Sequence, residues 1–442
     1  MTEVWSLHIL TVRDSVGVDH LDEIHVIGGN CLKGSITVQG SKNTVLPIMA
    51  ASLLQREICV LRGCPRILDV CYMEEILHIL GVVTWWKGHD LYLDCSKVCG
   101  MEIASEYTGR MRCSVILLGA LLGRNQRGVI GYPGGCVIGK RPIDFHLDVL
   151  RAMGAEILDD GGMLIAKAKK LCGTTFRFPY PSVGATENAL MAAALASGTT
   201  KLLNCAREPE IVELCSFLRS MGAKISGERT GTITVDGVEK LFPTDHVTAG
   251  DRICAGTYLA AAAAAGGEIE ITGVDPVVLV EPLKALRKMG AGIRISGATG
   301  PKARIGMVME RRPAGVEIDT GPYPGFPTDL QSVFLAVEAA GSGESRFKET
   351  VYEARFEAAM RLAAFGADVS LHKDTAIIRG RYPLVPGIAE TPDLRGGAAL
   401  LVAALAADGL SVISDSGHLK RGYEDIGRDL RKLGADIEED EL

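Results

Sequence analysis

The sequence predicts an α/β (α+β) protein of two domains assembled from six copies of one unit, and three observations predict it. Short glycine-marked segments recur about every 70 residues: Leu80-Gly81-Val82, Met153-Gly154-Ala155, Met221-Gly222-Ala223, Met289-Gly290-Ala291, Phe365-Gly366-Ala367 and Leu433-Gly434-Ala435. Ala-rich apolar segments recur in the same frame: Leu46 to Leu54, Val115 to Leu122, Ala189 to Ala196, Tyr258 to Ala265, Ser332 to Ala340 and Ala398 to Ala407. The chain has 442 residues, more than one core accommodates, because cores stop growing at roughly 250–300 residues.

Each element has its own reason. Met1 to Glu23 carries Glu3, Asp14, Asp19, Asp22 and Glu23 without the apolar stretch of a signal peptide, so residues 1–20 read as a loose extension. Ser35 to Gln39 alternates as a strand and leads into the first Ala-rich segment. Such segments are apolar on most faces, and a helix of that kind must be buried. Each glycine mark closes a stretch of helical periodicity and precedes β-rich residues such as Glu156-Ile157-Leu158, which is the pattern of a helix C-cap followed by a strand. The unit is therefore strand, buried helix, strand, amphipathic helix, strand. The joint between three units and three falls near Asp236 to Asp251, where Pro243-Thr244-Asp245 interrupts the pattern.

Composition narrows the function. The net charge is −7 and only 5% of residues are aromatic, which disfavours a general nucleic-acid binder that needs a basic surface and stacking platforms. The most apolar run, Tyr258 to Gly266, is about half of what a bilayer span requires, so no membrane role is expected. The 12 cysteines form no C-x-x-C pair, and Cys95 and Cys99 have no nearby His or Cys to complete a tetrahedral zinc site, which suits reduced thiols in the cytoplasm and no metal. Walker-type and dinucleotide-type glycine motifs are absent, as are H-E-x-x-H and G-x-S-x-G.

Three segments carry candidate chemistry. Gly40-Ser41-Lys42-Asn43 opens the first buried helix, where a Lys beside free backbone N–H groups makes an anion seat; a surface Lys beside an Asn cap fits too. In Gly131 to Asp144, four glycines frame Cys136, and Lys140 and Arg141 follow, a context that lowers a thiol pKa and marks a reactive rather than a packing cysteine. In Gly321 to Gln331, three prolines stiffen a loop ending at Asp329, placed either as a general base or as an N-cap of the next helix. Arg355, Arg395 and Arg421 each fit a surface ion pair when taken alone; with Lys42, Arg112 and Arg141 they compose a cationic cleft for a strongly anionic substrate.

These residues, with Met111-Arg112-Cys113-Ser114, Pro133-Gly134-Gly135-Cys136, Arg141-Pro142-Ile143-Asp144, Ser182 to Thr186, Arg207 to Val212, Phe326 to Asp329, Asp393-Leu394-Arg395 and Arg421-Gly422-Tyr423, resemble the enolpyruvyl transferases over about Ile24 to Ile437. The resemblance implies a two-domain inverse α/β barrel with buried helices surrounded by sheets and the active site in the cleft between domains. It assigns residues 41–250 to one domain and 21–40 with 251–442 to the other. The implied reaction moves the enolpyruvyl group of phosphoenolpyruvate to the 3′-hydroxyl of UDP-N-acetylglucosamine, releasing phosphate by addition and elimination, with no cofactor. This would be the first committed step of peptidoglycan precursor synthesis.

By the same resemblance Cys136 is the proton donor, able to form a covalent adduct with phosphoenolpyruvate and to be alkylated by an epoxide such as fosfomycin, and Asp329 is the base. Lys42, Asn43, Arg141, Arg395 and Arg421 hold phosphoenolpyruvate, with Lys42 and Arg395 also counted as catalytic. Asn43, Arg112, Arg141, Pro142, Ile143, Asp144, Phe145, Ser182, Val183, Gly184, Asp329 and Val351 meet the sugar nucleotide, and Glu353 and Arg355 lie near the closed cleft. Ile116, Tyr180 and Ala354 depart from the better-known pattern. Two alternatives remain in view: a catalytically weak paralogue that binds a nucleotide sugar, and the shikimate-type transferase, which the Gly-Gly-Cys segment disfavours.

Overall fold

The computed structural model describes residues 21–134 and 142–440, so Cys136, Arg141 and the segment 1–20 lie outside the described residues. Among the described residues the strands form six four-stranded sheets. One unit shows the plan. Strand Glu102–Ile103 is followed by the 3-10 turn Arg112–Ile116, helix Leu117–Asn125, strand Arg127–Gly131, helix Asp144–Ala152 and the strands Glu156–Asp160 and Met163–Lys167. Glu102–Ile103 lies parallel to Arg127–Gly131, and the return strand Met163–Lys167 sits antiparallel between Arg127–Gly131 and Glu156–Asp160.

The unit thus holds a fourth strand that the alternation did not reveal. Glu156–Asp160 is exposed at all but one position, and a turn at Gly161 and Gly162, both at positive φ, sends the chain back as the better buried Met163–Lys167. The six marker glycines all adopt positive φ, from 75° at Gly366 to 107° at Gly290, which is the helix-ending conformation their spacing predicted.

The Ala-rich segments form the helices Lys42–Ala51, Leu117–Asn125, Val183–Ala194, Arg252–Ala265, Gln331–Ala339 and Leu394–Ala406. Every residue from Ile253 to Ala264 is buried, as is every residue from Leu394 to Ala406. Small side chains let these helices approach closely: a Cβ on Gly119 would come 2.3 Å from the Asn188 carbonyl oxygen, and the Gly119 N–H instead donates to Asn188 Oδ1 at 2.6 Å. Arg252–Ala265, Gln331–Ala339 and Leu394–Ala406 pack on one another, and Val183–Ala194 packs on Leu117–Asn125.

Two apolar cores result. One is built between Val45 and Leu241, the other from Ile24 to Val38 together with Ile253 to Ile437. Each is closed by strands borrowed from a distance. Asp22–Ile27 inserts between Leu410–Asp415 and Asp436–Asp440, Leu32–Thr37 lies parallel to Gly267–Thr272, and Asp245–Val247 lies parallel to Ile58–Arg62. Pro243-Thr244-Asp245 is therefore the entry to a strand that opens the first unit's sheet, a correction to its reading as an interruption.

The chain passes between the halves at two adjacent points. Gly40 and Gly250 form an isolated bridge, with Ser41 N–H donating to Ala249 O at 2.8 Å and Asp251 N–H donating to Gln39 O at 2.9 Å. A Cβ would come 2.2 Å from Gly63 O at position 40 and 2.0 Å from Gly273 O at position 250, so only glycine fits either crossing. Among the described residues no helix is long and apolar enough to cross a membrane.

Candidate active site

Because six equivalent units face one another, the starts of all six buried helices converge on one cleft of about 470 Å³. They contribute Lys42 and Asn43, Arg112, Ser182 to Gly184, Arg252, Thr328 and Asp329, and Asp393 to Arg395. A helix start presents unbonded N–H groups and the positive end of the helix dipole, so the repeat itself builds an anion-binding basin. Asp393 and Asp251 cap two of these helices, each accepting from the N–H groups two and three residues on. Asp251 Oδ2 also accepts the Lys42 N–H at 3.0 Å, tying the halves together at the cleft floor.

Two carboxylates organise the cations. Asp329 sits in the 3-10 turn Thr328–Leu330 and caps no helix N–H group. Its Oδ2 accepts from Asn43 Nδ2 at 3.2 Å and Arg395 Nη2 at 3.1 Å, and its Oδ1 from Arg355 Nη2. Burial alone would raise its pKa, but Arg395, Arg355 and Arg252 hold it well below the usual carboxylate range. Arg355 and Arg395 are both buried, so the alternative of surface ion pairs is excluded for them. Glu349 steadies the neighbourhood, accepting from Thr328 Oγ1 at 2.9 Å and from the Val351 N–H at 2.8 Å.

Asp69, 2% exposed, is the second. Its Oδ2 lies 2.7 Å from Lys42 Nζ, and its Oδ1 2.8 Å from Arg421 Nε, so one carboxylate joins a cation from each half. Burial would raise its pKa too, and Lys42 with Arg421 reverses that, leaving it below the ordinary value. Arg252 pairs with Glu210 at 3.0 Å, and Glu208 accepts the Tyr323 N–H at 3.1 Å, fixing the Gly321 to Gly325 turn against the opposite half.

Pro142, Phe145, Ser182, Val183, Gly184 and Val351 also line the cleft, while Ile143, Asp144 and Glu353 are not among its lining residues. Arg112 Nη1 donates to the Pro133 carbonyl at 3.1 Å, at the edge of the undescribed Cys136 segment. Cys113, a thiol on the cleft wall, is pushed up to about 12 by burial, and so remains protonated.

Sequence reasoning missed Asp69, His146, Glu187 and Arg252, and gave Glu208 and Glu210 no role although their motif was noted. Glu187 had a signal: a single acid on a buried, Ala-rich helix must be paired or neutral. It is 5% exposed and lines the cleft; burial, with Glu210 and Glu208 nearby, raises its pKa to about 8. The folded protein therefore keeps a proton that the unfolded chain releases above about 4.3. Wild-type stability falls as pH rises between these values, by up to about 1.4 kcal/mol per unit. Glu187→Gln should melt above wild type at pH 8.5, with the gain shrinking steadily and vanishing only near pH 4; a pH-independent difference would show that Glu187 ionises freely.

The family model for EPSP synthase (3-phosphoshikimate 1-carboxyvinyltransferase) matches residues 26–440. A protein of Caldanaerobacter subterraneus subsp. tengcongensis named UDP-N-acetylglucosamine 1-carboxyvinyltransferase 2 is 40% identical over 94% of this chain and 99% of its own. A protein of Xanthobacter autotrophicus, named UDP-N-acetylglucosamine 1-carboxyvinyltransferase, is 42% identical over 95% of this chain and 99% of its own. The crystal structure of the enolpyruvyl transferase NikO from Streptomyces tendae superposes with a TM-score of 0.84 at 26% identity, covering 96% of this chain and all of that one.

Proposed function

The chain belongs to the EPSP synthase family of enolpyruvyl transferases, and on that premise we propose that it transfers the enolpyruvyl group of phosphoenolpyruvate to the 3′-hydroxyl of UDP-N-acetylglucosamine, releasing phosphate. The observation that carries this reading is the convergence of six helix starts on one cleft in which Lys42 and Arg421 are held by Asp69 and Arg395 by Asp329. A substrate with a phosphate and a carboxylate fits such a basin. Curated relatives at 40% and 42% identity carry the nucleotide-sugar name, which favours that acceptor over shikimate 3-phosphate.

The residues divide the chemistry. Lys42 and Arg421, with Arg141, take the phosphate and Arg395 the carboxylate, while Asn43, Arg112, Pro142 to Phe145, Ser182 to Gly184 and Val351 hold the sugar nucleotide. Asp329 accepts the proton of the 3′-hydroxyl as that oxygen attacks C2, and Cys136 delivers a proton to C3, giving a tetrahedral ketal. Loss of a C3 proton and of phosphate then restores the double bond.

In the unloaded protein Asp329 is too acidic to be an effective base, because Arg395 and Arg355 stabilise its charge. When the phosphoenolpyruvate carboxylate engages Arg395, that stabilisation is shared and the proton affinity of Asp329 rises. The base is thereby switched on by the substrate it serves.

The two apolar cores support domains of residues 41–250 and 21–40 with 251–442. We place the enzyme in the cytoplasm, where reduced thiols persist and sugar nucleotides are made, at the first committed step of peptidoglycan precursor synthesis. Phosphate release from phosphoenolpyruvate should require UDP-N-acetylglucosamine and collapse in Cys136→Ala. Binding of the nucleotide without release in wild type would instead identify a nucleotide-sugar binder.

A further inference from the structure

A second cavity, of about 260 Å³, opens at the seam between the two halves and belongs to none of the chemistry above. Arg177, Asn204, Arg207 and Thr232 form one wall, and Pro322 and Tyr323 of the opposite half form the other. It adjoins the main cleft through Pro181, Pro322 and Tyr323, which line both.

Its lining is polar and its charge is uncompensated. Among the described residues neither Arg177 nor Arg207 has a carboxylate partner, whereas Lys42 and Arg421 of the main cleft are held by Asp69, and Arg355 and Arg395 by Asp329. The wall is also fixed in shape. Asn204 adopts a left-handed φ of 56° and donates from Nδ2 to the Phe178 carbonyl at 2.9 Å. Cys205 N–H donates to Gly231 O at 2.8 Å, and the position of a Gly231 Cβ lies 3.6 Å from Arg207 Cδ, so the arginine stem lies along a hairpin turn that has no side chain. Glu208, next in sequence, holds the Tyr323 N–H, so this wall also grips the loop leading to Asp329.

We propose that this cavity is a second anion site, taking a phosphate or diphosphate group between the guanidinium forks of Arg177 and Arg207 with the Thr232 hydroxyl as a further donor. Two guanidiniums facing one space suit tetrahedral oxyanions, each fork donating two N–H bonds. The volume is below that of pockets that enclose drug-sized ligands, so the site accepts a phosphate-bearing end rather than a whole sugar nucleotide. That group comes either from the substrate's own diphosphate, which rests on the transferase reading, or from a free phosphate metabolite, which does not.

Inorganic pyrophosphate titrated calorimetrically into the full chain at low ionic strength tests the site. We expect a binding component that survives in Lys42→Ala, weakens at least about tenfold in Arg177→Ala/Arg207→Ala, and is partly restored in Arg177→Lys/Arg207→Lys. An isotherm unchanged in the double alanine variant, or one abolished by Lys42→Ala alone, overturns the proposal. Saturating UDP-N-acetylglucosamine separates the sources. If it blocks pyrophosphate, and the double alanine variant raises its KM with kcat unchanged, the site serves the substrate's diphosphate; if pyrophosphate still binds, it serves a free metabolite. Failure of UDP-N-acetylglucosamine to bind at all would remove the transferase reading while the pyrophosphate component stands.

Discussion

Asp329→Asn should lower kcat by roughly 10²–10⁴-fold while leaving the KM for phosphoenolpyruvate unchanged or lower. The amide keeps the volume of the carboxylate and one oxygen for Arg395 or Arg355, so the loop and helix Gln331–Ala339 keep their places. What it lacks is the ability to accept the 3′-hydroxyl proton. Removing its charge also leaves two buried guanidiniums under-compensated, and an incoming carboxylate then meets less competition for Arg395. Steady-state kinetics at saturating UDP-N-acetylglucosamine separates the two effects. A kcat within tenfold of wild type would remove Asp329 as the base, and a loss explained by a higher phosphoenolpyruvate KM would make it a binding residue instead.

The features legible in the sequence are those written locally. A glycine that ends a helix announces itself through the residues beside it, and six at one period revealed the repeat before any sheet could be drawn. Lys42, Asp329 and Arg395 were legible for the same reason, since each stands at the start of a segment too apolar to be anything but a buried helix. Pairings between distant segments were not. Nothing near Asp245 says that it will lie beside Val60, nor near Asp22 that it will face Asp415. Asp69 was hidden by its position, because an acid in the first turn of a helix already has a sufficient local reason to be there. Arg252 was hidden beside Asp251, whose capping role explains that segment without it. In each case an interaction between units gives the residue its use, and local pattern carries no record of it.

Asp69→Asn should be the most destabilising single change in the cleft, because it strips the anion that Lys42 and Arg421 share from a site where both cations are largely shielded from water. Removing one partner of a buried ion pair costs about 3–5 kcal/mol, since the remaining charge stays desolvated without compensation. The sign of the pH dependence follows from the lowered pKa of Asp69. Its contribution is complete above the ordinary carboxylate range and is lost as pH falls through and below that range, so wild type and variant should converge on acidification and differ most near neutrality. Phosphate supplies the discriminating measurement. If Asp69 keeps the seat of the substrate's phosphate neutralised until substrate arrives, inorganic phosphate should raise the melting temperature of Asp69→Asn more than that of wild type, by mass action on a site that now lacks its internal anion. Glu75→Gln, which removes a half-exposed partner of Arg110 on the same helix, should show neither the large destabilisation nor the phosphate rescue. Equal phosphate responses in wild type and Asp69→Asn would mean that Lys42 and Arg421 are structural cations, and that the phosphate of the substrate is held elsewhere in the cleft.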